Sequence, residues 1–155
     1  MPGAGGTGPQ AVLFACGLNS VRSPMALALF RYLVGQKAYA GSAGVRKGEV
    51  DPFVIAVMDE VGLDISKHKP ATFEEVEDLE GLNFDVIVTL SPEAHHKALE
   101  LTRTLAAEVE YWPTPDPSDA VGNREQTLDA YRQVRDQLMQ RIKARFGAAT
   151  ESGNE

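Results

Sequence analysis

Residues 11 to 146 predict an α/β domain: a three-layer sandwich with a four-stranded parallel sheet and helices on both faces. Three observations carry this. Short apolar runs alternate with helical periodicities along the chain, the pattern of a parallel sheet covered on both sides. Three helices start on a cap residue followed by proline, at Ser23-Pro24, Asp51-Pro52 and Ser91-Pro92. One segment, Phe84 to Leu90, is nearly continuous in apolar and β-branched residues, as a buried strand requires.

The elements follow in order. Ala11 to Ala15 reads as a buried strand, and Cys16 to Arg22 as the loop after it. Ser23 caps the first helix, with Met25, Leu29 and Leu33 four residues apart and Gly35 as its stop. Lys37 to Ala43 is a weaker strand. Asp51-Pro52 opens a helix carrying Phe53, Val54, Val57, Met58 and Val61, closed by Gly62. Thr72 to Leu79 forms an acidic helical turn. Phe84 to Leu90 is the third strand, Ser91-Pro92 opens the next helix, and Val109 to Trp112 is the fourth strand. After a Pro- and Asp-rich loop, Asn123 and Gln126 form a capping box. Leu128, Tyr131, Val134, Leu138 and Ile142 give the last helix one apolar face. Residues 1–10 read as a disordered lead-in and residues 147–155 as a flexible tail. Gly3 to Gly8 matches the dinucleotide pattern G-x-G-x-x-G, but no strand precedes it, so the match is discarded.

Composition narrows the function. The 155 residues carry 15 basic and 22 acidic side chains, for a net charge of −7. That speaks against a nucleic-acid binder. Eight acids against two lysines fall between residues 59 and 80, where a solvated helix face explains them. An anionic ligand therefore needs a strong local site. No apolar run approaches the roughly 20 residues that span a bilayer, and no membrane partner is expected. The N-terminus lacks the pattern of a signal peptide, and a cytoplasmic location is expected. The one cysteine, Cys16, excludes an intrachain disulfide and an internal thiol relay.

Ligands on parallel α/β sheets bind at the carboxyl ends of the strands, and Cys16 ends the first. The segment Cys16-Gly17-Leu18-Asn19-Ser20-Val21-Arg22-Ser23-Pro24 joins a strand to a helix. A loop of this length can turn several N–H groups inward as a nest. The helix start adds unpaired N–H groups and a positive dipole end. Arg22 offers a planar fork for two oxygens of a tetrahedral anion. The same field favours a thiolate at Cys16, and so a nucleophile at neutral pH.

These residues resemble the low-molecular-weight protein tyrosine phosphatase superfamily, which includes the thioredoxin-coupled arsenate reductases. Val12 to Cys16 and Arg22 to Ala26 resemble its phosphate-binding signature. Ser42-Ala43-Gly44, Asp64 to His68 and Asp116-Pro117 resemble later motifs, in the right order. The resemblance implies the strand order 2-1-3-4 and a cysteine-dependent phosphatase acting on phosphate monoesters, protein phosphotyrosine among them. In that reading Cys16 is the nucleophile. Arg22 and the amides of Gly17, Leu18, Asn19, Ser20 and Val21 hold the phosphoryl oxygens. Ser23 stabilises the thiolate, Asp116 is the acid, and Ser42 and His68 support Asn19. Asp119 is the fallback acid. No metal or cofactor is implied; the partner is a phosphorylated substrate or small oxyanion, and the oligomeric state stays open.

The chain also departs from that family. Leu18 stands where the family has glycine, and a positive φ there carries strain. Val21 replaces a second cysteine, so an oxidised Cys16 has no internal resolving thiol. Aromatic residues are missing after Asp-Pro and after Ser-Ala-Gly, leaving Phe53, Tyr111 and Trp112 to form an aromatic slot. The alternatives are an arsenate reductase using an external thiol, with Ser91 near the place of a relay cysteine, and a phosphate-binding module without turnover. His95 and His96 are expected at the surface.

Overall fold

The computed structural model describes residues 11–147. The expected lead-in lies outside them, as does the expected tail apart from Gly147, which is buried at the end of a π-helical turn. The elements are β1 (Ala11–Cys16), α1 (Arg22–Val34), β2 (Tyr39–Gly44), α2 (Pro52–Asp59), α3 (Phe73–Glu80), β3 (Val86–Thr89), α4 (Pro92–Leu101), β4 (Glu108–Tyr111) and α5 (Arg124–Ile142). All strand pairs are parallel, in the order β2-β1-β3-β4. The chain leaves β1 toward β2 and returns to the other side of β1 as β3. The carboxyl end of β1 is therefore the switch point, where the two crossovers part and leave a crevice.

Alternation along β1 divides its side chains between two cores. Val12, Phe14 and Cys16 belong to the layer of α1, α2 and α5, with Met25, Phe30, Val57, Tyr131 and Leu138. Leu13 and Ala15 belong to the layer of α3 and α4, with Phe73, Val76, Ala94 and Ala98. Burying each large apolar side chain fully stabilises the fold by about 1.5–3 kcal/mol. The five apolar positions read for the last helix are all buried.

Local chemistry sets most boundaries. Asp51 accepts from Phe53 N–H, and Ser91 from Ala94 N–H, so two of the three cap-proline pairs act as expected. Thr72 with Glu75, and Asn123 with Gln126, close reciprocal capping boxes. Gly35 ends α1 at a φ of 73°. The third pair departs from expectation. The cap of α1 is Val21, which has no side-chain cap bond, and Ser23 lies inside the helix. Lys37 belongs to a short 3-10 turn before β2, and β3 is confined to Val86–Thr89.

His95 also departs from expectation. Its Nδ1 lies 3.0 Å from Thr89 Oγ1, and its ring stacks on Tyr111 with 4.5 Å between centroids. The buried Thr89 hydroxyl donates to the Glu110 carbonyl at 3.2 Å, which leaves its oxygen as an acceptor for His95. His96 is exposed, in an i,i+4 pair with Glu100.

Candidate active site

The loop after β1 is held from outside by its carbonyls. Cys16 C=O accepts from Val45 N–H at 3.2 Å, Gly17 from Arg46 at 2.9 Å, Leu18 from Gly48 at 2.9 Å and Ser20 from Asp51 at 3.4 Å. Asn19 C=O faces His68 Nε2 at 3.1 Å. Five consecutive carbonyls thus point to a strap of residues 45–51 and to His68. In a trans peptide the following N–H points the opposite way. The N–H groups of Gly17 to Val21 therefore turn to the concave side, as a nest requires. Gly44 makes the close approach possible. A Cβ there would stand 2.3 Å from Arg46 O and 2.8 Å from Asn19 N.

The loop turns on Asn19, with φ at 55°, and it is the one non-glycine residue with positive φ among the described residues. Asparagine tolerates that region, so the strain anticipated at Leu18 does not arise. The Asn19 side chain is fully buried and oriented at both ends. Its Oδ1 accepts from Ala71 N–H at 2.9 Å, and its Nδ2 donates to Ser23 Oγ at 2.7 Å. Ala71 takes the place expected of Ser42, which lies in β2 paired with Phe14. His68 does support the loop, through the backbone of Asn19 and not its side chain.

This network explains why Ser23 is not a cap. Its Oγ lies 3.0 Å from Cys16 Sγ. The Asn19 amide can only donate to that oxygen. Ser23 is left free to give its own proton to the sulfur when Cys16 is a thiolate. Burial holds the His68 pKa below its usual value, against the opposing effect of the bond to Asn19; the charge of Arg31 lowers it further. The Asn19 carbonyl can only accept, so this contact places a proton on Nε2 of His68.

Arg22 Nη1 donates to Thr114 C=O at 2.9 Å. Its Nη2 lies 3.7 Å from Asp116 Oδ2. Asp116 divides its oxygens. Oδ1 accepts from Ser118 N–H at 3.0 Å and from Ser118 Oγ–H at 2.7 Å. It is therefore a turn former through one oxygen, while the other faces Arg22. Asp119 borders a groove with Gln133 and Gln137, which Asp116 also lines.

A cavity of about 630 Å3 opens above Cys16. Arg22 and Asp116 line it, with Leu18, Phe53 and Tyr131. Phe53 was anticipated as an aromatic wall. Trp112 instead fills the core, edge-on to Phe14, and Tyr111 covers His95. Tyr131 was read only as a core residue. Its ring packs 5.3 Å from Phe53, and its hydroxyl donates to Asp51 Oδ2 at 2.6 Å. A tyrosine among aliphatic positions was the available signal, because a buried phenol needs a polar partner.

The fold and this site define a class: a parallel α/β protein with a thiol under an inward-facing amide loop, an arginine and a carboxylate. The family model for low molecular weight phosphotyrosine protein phosphatase matches residues 11–151. The chain belongs to that family. It is 32% identical to the glutaredoxin arsenate reductase of Synechocystis sp. over 133 residues, 85% of this chain and 92% of that protein. It resembles a solved arsenate reductase in the phosphate binding state at 29% identity and TM-score 0.66, covering 87% and 95% of the two chains. It also resembles the low molecular weight protein tyrosine phosphatase from T. tengcongensis at 26% identity and TM-score 0.70, covering 86% and 95%.

Proposed function

We propose that this protein hydrolyses phosphate monoesters, protein phosphotyrosine among them, through a cysteinyl-phosphate on Cys16. One observation carries the reading. The single thiol has the Ser23 hydroxyl 3.0 Å away and forms the floor of a cavity lined by Arg22 and Asp116. A Cys16 thiolate, stabilised by Ser23, attacks phosphorus. The S–P bond forms as the P–O bond to the leaving group breaks. The inward N–H groups and Arg22 hold the equatorial oxygens, where charge grows toward the transition state. Asp116 Oδ2 gives its proton to the leaving oxygen, then takes one from water. Water oxygen bonds to phosphorus, the S–P bond breaks, and inorganic phosphate leaves.

A second reading is arsenate reduction, favoured by the names of relatives near 32% identity. Arsenate becomes arsenite by taking two electrons, which two thiols supply on forming a disulfide. This chain has one cysteine, so an external low-molecular-weight thiol must enter the reaction.

Aryl phosphate, and separately arsenate with small thiols, distinguish the two. Ester hydrolysis that vanishes in Cys16→Ser is the expected result. Arsenite formation with negligible esterase activity would overturn the first reading in favour of the second.

A further inference from the structure

The walls of the cavity above Cys16 carry an uneven charge. Glu49, Asp51 and Asp116 line it, and Arg22 is its one cationic lining residue. Arg22 is turned to the Thr114 carbonyl and to Asp116, and a bound phosphoryl group engages what remains of its fork. The neighbouring strap carries two bases, and both are drawn outward. Arg46 pairs with Glu93, and Lys47 pairs with Glu75 at 2.7 Å. Glu49, two residues further, is exposed and makes no ion pair among the described residues. Asp51 caps α2 and binds neutral donors, the Phe53 N–H at 2.8 Å and the Tyr131 hydroxyl at 2.6 Å, and no cationic side chain pairs with it among the described residues. Arg124 lies over the Phe53 ring, 5.5 Å from its centroid, and is not part of the cavity lining.

Burial first, then the bond to Asp51 and the charges of Asp51, Asp116 and Asp119, push the ionisation of Tyr131 upward. With the phosphoryl dianion seated on the loop amides, two carboxylates without a cationic side-chain partner, Glu49 and Asp51, remain at the mouth. They sit beside apolar surface from Leu18 and Phe53, along which a long basic side chain can lay its methylene stem.

We propose that the substrate is a basic phosphopeptide segment, with arginine or lysine next to the phosphorylated residue, recognised by Glu49 and Asp51. The proposal rests on the phosphatase reading and names its substrate class. Acidic flanks are repelled by the same pair, so specificity arises from both signs.

The test uses two phosphotyrosine peptides that differ only in flanking residues, two arginines or two aspartates. Their binding is measured on the Cys16→Ser protein, so the result does not depend on turnover. The arginine peptide should bind about three- to tenfold tighter at low salt. The ratio should shrink toward one in 1 M salt, where the screening length is about 3 Å. Glu49→Lys should reduce or invert the ratio, while Glu77→Gln, on α3 in the opposite layer, should not alter it. Equal affinities, tighter binding of the aspartate peptide, or binding of neither would overturn the proposal. Hydrolysis of a neutral aryl phosphate by the unmodified protein is measured alongside. Its absence counts against the phosphatase reading alone.

Discussion

The hydroxyl of Ser23 lies 3.0 Å from the sulfur of Cys16, held there by the side-chain amide of Asn19. A hydrogen bond to a charged group contributes about 1.5–3 kcal/mol. Ser23→Ala should therefore lower kcat/KM for an aryl phosphate by about 10- to 100-fold. The melting temperature serves as the control, and a fall in turnover matched by general unfolding would assign Ser23 a purely structural part.

Asp116→Asn separates the two duties of the carboxylate. The amide oxygen can still accept from Ser118, so the turn survives, but no proton can be delivered from the other position. Esters with poor leaving groups should slow by about 10²- to 10⁴-fold. Esters with activated leaving groups should slow far less. Equal slowing across a leaving-group series would remove Asp116 as the acid.

Gly44→Ala should destabilise the protein by about 3 kcal/mol, because a methyl group there overlaps the strap and the loop together. The predicted contacts are 2.3 Å to Arg46 O and 2.9 Å to Leu18 C. Gly48→Ala makes a fair comparison, since its nearest contact is 3.5 Å and is tolerable. Urea midpoints and vanadate binding measure both effects. Vanadate affinity should fall only in the Gly44 variant.

His68 makes stability depend on pH. Its folded pKa lies below the unfolded value because of burial first. The unfolded chain thus binds the proton more readily. The stabilising contribution is complete above about pH 6.5, the ordinary value, and is lost as pH falls through the folded pKa. His68→Gln, whose amide can still donate toward Asn19, should flatten the urea midpoint between pH 7 and 5. An unchanged slope would show that His68 does not titrate on unfolding.

Much of this was legible in the residues. The alternation of elements, the caps at Asp51, Ser91 and Asn123, and the apolar face of α5 are local patterns, and local rules read them correctly. Ser23 misled because a serine before proline has two possible clients, a backbone N–H or a distant side chain. The family resemblance pointed to the second, the Cys16 sulfur, and the hydroxyl lies 3.0 Å from it. Ser42 was expected beside Asn19, but the partner is a backbone N–H at Ala71, which leaves no mark in side-chain chemistry. His95 is placed by Thr89 Oγ1 and the Tyr111 ring, and Tyr131 by a long-range bond to Asp51. Periodicity reports which face of a helix is apolar, not which polar atom on that face needs a partner.

The strap that fastens the carbonyls of Cys16, Gly17, Leu18 and Ser20 has a thermodynamic corollary. The amides of the loop are oriented before any anion arrives, so little backbone entropy remains to be lost on binding. An oxyanion should then associate with a favourable enthalpy and only a small change in heat capacity, the calorimetric signature of a rigid receptor. It also means that the receptor is written in main-chain atoms. The side chain at Leu18 can differ from glycine without altering where the donors stand.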